Sequence, residues 1–270
     1  MHFLKRPTKS LPMKLRVTQK EYEQILRELH TPEDIEPVHR RHGLAREALW
    51  HILSQKIIRQ TLRTFHKVKA RSRELRHMWE KGMTMLQISR MCGLAPTLCA
   101  SFILMEKGFS KKRFRELVKN LPAIKDARIR RELSEALDAD FVYSEKAHLE
   151  QKERGIAHEK KMERWLREHH ITFWTERERY GEEKTPDFLL KKAVRVDGKE
   201  IHWFESKAYF ADAVEIKRSY NKQFKHYVEL FGPGVVVYWW GFVEDAPLPP
   251  DIRRHIIFVD GSFFEKAHPH

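Results

Sequence analysis

Two acidic residues and a lysine in the C-terminal half have a spacing that suits phosphodiester hydrolysis. Asp187 follows Thr185-Pro186, and Glu205 is followed two positions later by Lys207. Two carboxylates held close together repel each other unless a cation lies between them, and hard cations prefer oxygen ligands. A neighbouring lysine can orient a water molecule or stabilise charge growing on a phosphate. The pattern therefore predicts Mg²⁺ or Mn²⁺ bound at Asp187 and Glu205.

The surroundings of Glu205 favour a buried site over a solvated surface hairpin. The strand that carries it also contains Ile201, Trp203 and Phe204, which are expected to be largely buried. A buried Glu and Lys are costly unless they pair or bind a ligand. Pairing of Glu205 with Lys207 alone is the simpler alternative.

A hairpin must bring these side chains together. Asp197-Gly198 between two apolar runs is typical of a two-residue hairpin turn. In an ideal hairpin Glu205 faces Leu190, which puts Asp187 on the opposite face of the sheet. The two carboxylates therefore converge only if the first strand has a bulge or bend near Asp187, or if the loop is longer.

A further acid is expected from the helix before the strands. Glu159 shares a helix face with Met162 and Leu166, and Glu163 lies one turn further along. This face is predicted to point towards the sheet. The alternative for either residue is an exposed partner for Lys or Arg one turn away.

The C-terminal elements predict an α/β domain with a mixed sheet. A helix is predicted over residues 144–169 and another over 211–230. The second helix is long enough to connect two parallel strands. Strands are predicted over residues 171–176, 186–196, 201–208, 235–243 and 256–259.

The N-terminal region is predicted to be all-helical, with one long helix over residues 45–81. A helix, a Gly-containing turn and a second helix occur twice, over residues 32–53 around Gly43 and over residues 84–107 around Gly93. This order is typical of a helix-turn-helix unit. The alternative is a helical packing domain without DNA contact.

Positive charge is concentrated in the same region. Residues 1–150 contain 31 Lys and Arg against 18 Asp and Glu, whereas residues 151–270 contain 21 against 20. Such an imbalance indicates a polyanion-binding module, with a solvated helix face as the alternative. The predicted nucleic-acid contacts are Arg59, Arg63, Lys67, Lys69, Arg71, Arg73, Lys111, Lys112 and Arg113.

The sequence has no feature typical of a membrane or secreted protein. It contains no apolar run long enough to span a bilayer, and its two cysteines, Cys92 and Cys99, have no spacing typical of a zinc site or a disulfide. An intracellular location is expected: the cytoplasm for a prokaryotic or archaeal chain, and the nucleus and cytoplasm for a eukaryotic one.

The motif residues resemble a known nuclease signature. Pro186-Asp187 with Glu205-Ser-Lys207 resembles the PD-(D/E)xK pattern of restriction endonucleases and archaeal Holliday-junction resolvases. The longer match resembles the TPD-motif family of these nucleases. It comprises Lys184–Phe188, His202–Ala208, Gln223-Phe224, Phe231–Gly234 and Tyr238–Phe242.

The resemblance implies a restriction-endonuclease-like fold around a site for Mg²⁺ or Mn²⁺. It implies that Asp187 and Glu205 bind the metal and that Lys207 assists the attacking water. Glu159, as the helix acid, is expected to be a third metal ligand. It places Gln223 near the site, in contact with phosphate or water.

The predicted protein is thus α+β overall. It has a basic flexible arm over residues 1–17, a helical nucleic-acid-binding region over 18–143 and a nuclease domain over 144–270. The expected activity is metal-dependent endonucleolytic cleavage of branched or single-stranded DNA. An RNA-processing nuclease and a nucleic-acid-binding scaffold with an inactive site are the alternatives. No membrane partner is expected, and a homodimer would suit paired strands.

Overall fold

A computed structural model describes residues 14–179, 181 and 184–265. The chain forms two units, each described here by itself. The first, the sheet unit, contains Met1–Leu53 and Arg154–His270, and the second, the helical unit, contains Ser54–Glu153. The long helices α3 (Arg46–Ala70) and α9 (Glu145–Glu168) run through the two unit boundaries, and the functional divisions predicted at residues 18 and 144 stay predictions.

The described part of the N-terminal half is almost wholly helical, as the sequence predicts. It begins with a two-residue strand, β1 (Arg16–Val17). The helices that follow are α1 (Gln19–Glu28), α2 (Ile35–His42), α3 (Arg46–Ala70), α4 (Ser72–Glu80), α5 (Met85–Cys92), α6 (Pro96–Glu106), α7 (Lys111–Lys119) and α8 (Ala127–Ala139).

The C-terminal half alternates helices and strands, which confirms the predicted α+β class. It begins with the long helix α9 (Glu145–Glu168) and strands β2 (Phe173–Thr175), β3 (Phe188–Val196) and β4 (Lys199–Lys207). Then follow α10 (Ala213–Ser219), a π-helical turn (Tyr220–Phe224), α11 (Lys225–Phe231), β5 (Gly234–Tyr238), β6 (Phe242–Val243), α12 (Pro250–His255) and β7 (Ile256–Asp260).

The helical unit packs around a continuous apolar core. The predicted single helix over residues 45–81 is wrong, because the chain leaves helical geometry at Arg71 and restarts as α4. Val68 before the break and Leu75 after it are both buried in the same core. A break at Arg71 lets both side chains reach that core.

The turn geometry of both predicted helix-turn-helix units is present. Gly43 ends α2 and Gly93 ends α5, each in the left-handed conformation that glycine adopts at low cost. Helices α5 and α6 cross at 114°. However, α6 buries Cys99, Ala100 and Phe102 in the core of its own unit. This burial agrees with the packing alternative, and contact of the second unit with DNA stays a prediction.

The sheet unit is built on a five-stranded mixed sheet in the order β2-β3-β4-β5-β7. Strands β2, β3 and β4 are antiparallel, whereas β4, β5 and β7 are parallel. The predicted parallel pairing across the crossover helix is therefore confirmed. Met162 and Leu166 of α9 are fully buried against the sheet, together with Phe204 and Val235.

The β3–β4 hairpin has the irregularity that the sequence requires. Asp197 and Gly198 both have positive φ, as in the predicted two-residue turn. Next to the turn Val194 pairs with Ile201, but further along Leu189 pairs with Trp203. The register shifts between Leu189 and Val194. As a result, the residues at the start of β3 point to the opposite face of the sheet from the one they would face in an ideal hairpin.

The predicted strand over residues 235–243 is interrupted. Strand β5 ends at Tyr238, and β6 resumes at Phe242 beside β1. Gly241 allows this turn because its φ is positive and a Cβ there would lie 1.5 Å from the Leu15 carbonyl oxygen. Since Val17 is fully buried, the last residues of the predicted flexible arm belong to the sheet unit, whereas residues 1–13 lie outside the described residues.

Among the described residues, no single helix has the length and apolarity to cross a membrane. One bent pair, α5 with α6, meets that test by length and composition only.

Candidate active site

The predicted acid pair meets at the ends of two neighbouring strands. The Asp187 amide donates to Oε2 of Glu205 (3.1 Å), and the Ser206 amide donates to Oδ2 of Asp187 (2.7 Å). The shifted register of β3 and β4 produces this arrangement. Because Phe188 pairs with Phe204, Asp187, just before Phe188, lies beside Glu205, just after Phe204. Asp187 is partly buried and Glu205 is 3% exposed.

Lys207 and Gln223 complete a chain of hydrogen bonds at the same point. Lys207 Nζ donates to Oε1 of Glu205 (2.7 Å) and to Oε1 of Gln223 (3.0 Å). Gln223 lies in the π-helical turn. The extra residue in this turn changes the direction in which the following side chains point from the helix. The four predicted residues Asp187, Glu205, Lys207 and Gln223 are therefore in one cluster.

Burial and mutual charge shift the pKa values of the cluster residues. Burial raises the pKa of Asp187 well above its usual value, and the charge of Glu205 raises it further. Burial alone would lower the pKa of Lys207, but attraction to Glu205 reverses this and leaves it raised. Lys207 is therefore a cation and a hydrogen-bond donor at neutral pH, and it does not accept a proton.

The two helix acids have different surroundings. The pKa of Glu159 is raised by partial desolvation and then by the charges of Glu176 and Glu205. Glu163 instead pairs with Arg167 one turn along α9 (2.7 Å), which is the exposed alternative. Both acids line a cleft of about 340 Å³ that reaches Asp187.

Two aromatic residues that were not predicted as site residues, Tyr227 and Trp239, hold the site in place. The Tyr227 hydroxyl donates to the Thr185 carbonyl oxygen (2.9 Å), which fixes the segment before Asp187. Trp239 donates from Nε1 to the Ser206 hydroxyl (2.8 Å) and from its amide to the Lys207 carbonyl oxygen (3.1 Å). Tyr227 lies one helical turn after Gln223, and this spacing is a signal that would have identified it.

The donor set fits a hard divalent cation that keeps part of its hydration shell. Asp187 and Glu205 present carboxylate oxygens at one point, and Mg²⁺ is commonly bound by one or two carboxylates together with water and substrate phosphate. No cluster of three or more His, Cys, Asp or Glu side chains that could hold a metal occurs among the described residues. Glu159 thus stands near the pair as an additional acid and is not a third member of a ready-made site.

The predicted nucleic-acid-binding residues lie elsewhere, in the helical unit. All are exposed except Arg59, which is half-buried. Arg71 pairs with Glu74 and Arg113 with Glu116 on their own helices. The residues on α3 are Arg59, Arg63, Lys67 and Lys69; Arg71 and Arg73 lie at the start of α4, and Lys111, Lys112 and Arg113 form the first turn of α7.

Comparisons with known proteins agree on one family. The model for proteins of unknown function with the TPD sequence motif matches residues 125–261, half of the chain. CDAN1-interacting nuclease 1 of Xenopus laevis is 43% identical over 109 residues, which is 40% of this chain and 35% of the relative. The protein of that name from Danio rerio is 30% identical over 186 residues (66% and 61%), and the one from Homo sapiens is 31% identical over 170 residues (60% and 60%).

The chain thus spans between about a third and three-fifths of the length of these relatives. No solved structure matches it. The match covers Asp187, Glu205, Lys207 and Gln223, and it confirms the resemblance read from the TPD motif. The chain belongs to the TPD sequence-motif family.

Proposed function

We propose that this protein is a divalent-cation-dependent nuclease that hydrolyses phosphodiester bonds in DNA. The observation that carries the proposal is the convergence of Asp187, Glu205 and the cationic Lys207 at one point beside an open cleft. The name of the similar proteins, CDAN1-interacting nuclease 1, supports the same class of reaction.

Asp187 and Glu205 would hold the cation. Bound there, Mg²⁺ or Mn²⁺ would lower the pKa of water and neutralise charge on a phosphate. The like charges of the carboxylates are costly without a positive charge between them, and Lys207 supplies only part of it. Burial raises the pKa of Asp187, and the charge of Glu205, which Lys207 only partly compensates, raises it further.

Lys207 and Gln223 would act on the substrate side of the site. The Lys207 ammonium can donate to the attacking water or to a phosphate oxygen, where it offsets the charge that develops during attack. Gln223 holds Lys207 by a hydrogen bond and so limits its orientations. Glu159, whose pKa is raised, is placed to accept or donate a proton at the edge of the cleft.

The basic face of the helical unit supports a polyanionic substrate. Lys111, Lys112 and Arg113 stand in the first turn of α7, where positive charge opposes the helix dipole. Such a placement costs stability in the free protein and is offset when phosphates neutralise it. DNA, single-stranded or branched, is the substrate that we propose.

The proposal is tested by cleavage of a panel of single-stranded, branched and fully paired DNA, with RNA strands of the same sequences, in Mg²⁺, Mn²⁺ or chelator. Wild type is compared with Asp187→Asn and Lys207→Ala. Glu163→Gln is the matched control, because Glu163 lines the same cleft but pairs with Arg167.

Cation-dependent cleavage of DNA that both site variants lose, and the control keeps, is the expected result. Equal cleavage by wild type and both site variants would exclude this active site. DNA binding without cleavage in any cation would instead indicate a scaffold, and cleavage of RNA strands alone would indicate an RNA-processing nuclease.

A further inference from the structure

A second cavity lies beside the candidate active site, within the sheet unit. It measures about 330 Å³, which is in the range of small-ligand pockets. The first turns of α3, the part of α9 before Glu159 and the turn after β5 enclose it. We call it the α3–α9 cavity; its walls include Trp50 and His51 on α3, Arg154, Ala157 and His158 on α9, and Trp240.

Four of the wall residues carry aromatic rings. The His51 and Trp240 rings stack at 6.1 Å, and the His158 ring meets Trp240 edge-on at 5.4 Å. Trp50 lies at the opening and is 38% exposed. Ala157 is the one small wall residue on α9, and its short side chain leaves room for a ligand.

Glu47 is the one acidic residue in the walls, and the other polar groups of the cavity suit a neutral heteroaromatic ligand. Burial, and then the positive charge of Arg154, lowers the pKa of His51 to about 3, so its ring is neutral and offers one donor and one acceptor. Trp240 Nε1 is buried with no hydrogen-bond partner among the described residues. Arg154 is exposed beside the walls, where a guanidinium can reach a phosphate.

Two direct connections join the cavity to the candidate active site. His158 in the cavity wall directly precedes Glu159, which lines the catalytic cleft. The His158 ring also stacks on Trp239 at 4.6 Å, and Trp239 donates its amide to the Lys207 carbonyl oxygen. Because His158 and Glu159 are consecutive on α9, a strand that lies along this helix would meet both the catalytic cleft and the cavity.

We propose that the α3–α9 cavity binds one unpaired nucleobase of the nucleic-acid strand that is cut, while Arg154 contacts the adjacent phosphate. This inference rests on the proposed function and deepens it, because it requires a substrate with an unpaired base near the scissile bond. Enzymes and single-strand-binding proteins that hold an unpaired base commonly stack it on aromatic side chains, and Trp50 at the opening offers such a surface. Fully paired DNA would not enter the cavity.

The test measures binding in chelator, where cleavage does not interfere. Fluorescence anisotropy compares a short oligothymidylate with a strand of the same length whose sugars carry no bases, and with the matching uridine strand. The variants are Trp50→Ala and Trp50→Phe. Trp174→Ala is the control, since Trp174 is also in the sheet unit and is 39% exposed but does not line the cavity.

Trp50→Ala is expected to weaken binding of the base-bearing strands by about 5- to 100-fold, the range for removal of one base–aromatic stack, and to leave binding of the base-free strand unchanged. Trp50→Phe should restore most of the affinity, and Trp174→Ala should leave both affinities unchanged. An equal loss on both kinds of strand, no loss on either, or no measurable binding by wild type would overturn the proposal.

The cleavage panel separates this proposal from the proposed function. If the protein cuts no strand but still prefers base-bearing strands in a way that depends on Trp50, the base-binding proposal stands and the nuclease proposal is overturned. Cleavage with no effect of Trp50→Ala on base-bearing strands keeps the nuclease and overturns the cavity.

Discussion

Replacing Asp187 with Asn is expected to stabilise the protein when no divalent cation is present. Asn keeps an oxygen that can accept the hydrogen bond from the Ser206 amide, but it removes the charge that repels Glu205. The substitution therefore separates the structural role of this side chain from its electrostatic role.

The expected gain is modest because Lys207 already compensates part of the repulsion. Two unit charges about 4 Å apart at an effective dielectric constant of about 20 interact by about 4 kcal/mol. The ion pair between Lys207 and Glu205 (2.7 Å) offsets most of this. A net gain of about 0.5–2 kcal/mol follows, which corresponds to roughly 2–4 °C in Tm for each kcal/mol in a unit of this size.

The pH dependence fixes the sign of the effect. The folded-state pKa of Asp187 lies above its unfolded value, so protonated Asp187 favours the folded state at low pH and this contribution is lost as pH rises through the folded-state pKa. The difference in unfolding free energy between Asp187→Asn and wild type should therefore be near zero in acid and grow towards neutral pH.

The assay is thermal unfolding in chelator and in Mn²⁺ over this pH range. Saturating Mn²⁺ at about 100 times its Kd should stabilise wild type by about 2.7 kcal/mol and Asp187→Asn by much less, so that the order of stability reverses. Glu163→Gln, which removes an exposed pair, should change stability by less than about 0.5 kcal/mol and keep the Mn²⁺ response. An Asp187→Asn protein less stable than wild type in chelator at neutral pH would refute the reasoning.

Three further predictions follow from the packing and the charge of the two units. Glu132→Ala should lower the free energy of unfolding, measured with urea, by about 2–5 kcal/mol, because it leaves the buried donors of Trp79 and Met85 without an acceptor. Glu135→Ala, at an exposed ion pair, should lower it by less than about 0.5 kcal/mol. Gly234→Ala should lower the free energy of unfolding by about 3 kcal/mol or more, since a Cβ there would lie 2.0 Å from the Trp203 ring. Gly155→Ala, in open space on α9, should raise it by about 1 kcal/mol, and a similar change in both variants would contradict this reasoning. Replacing Lys111, Lys112 and Arg113 by Ala should lower the slope of log K against log salt for DNA binding by about 0.9 for each duplex phosphate, or about 0.7 for each single-strand phosphate, that these side chains neutralise. An unchanged slope would show that α7 does not bind the DNA backbone.

Sequence patterns predicted the elements around the site well because each one has a strong local signal. The Asp197-Gly198 turn fixes the β3–β4 hairpin, and helical periodicity places Met162 and Leu166 on the buried face of α9. The need for an irregularity near Asp187 also followed from the spacing of the motif. Its position could not be predicted, because the residues inside the shift, such as Lys191 and Lys192, are exposed and carry no pattern that fixes register.

Other features depend on contacts distant in sequence. The break at Arg71 lies in a continuous helical pattern and arises from packing within the helical unit. Strand β1 is two residues long and forms only beside β6, and the π-helical turn adds one residue that helical periodicity does not reveal. Motif spacing identified Asp187, Glu205 and Lys207, but the α3–α9 cavity needs Trp50 and Trp240 to meet across nearly 200 positions.

The most direct test of the central claim is anomalous diffraction from a crystal soaked in Mn²⁺. A cation bound at this site should give one strong peak in contact with the carboxylates of both Asp187 and Glu205, and a crystal of Asp187→Asn should give no such peak. A wild-type crystal without a peak between these two residues, at a Mn²⁺ concentration that supports cleavage, would contradict this claim.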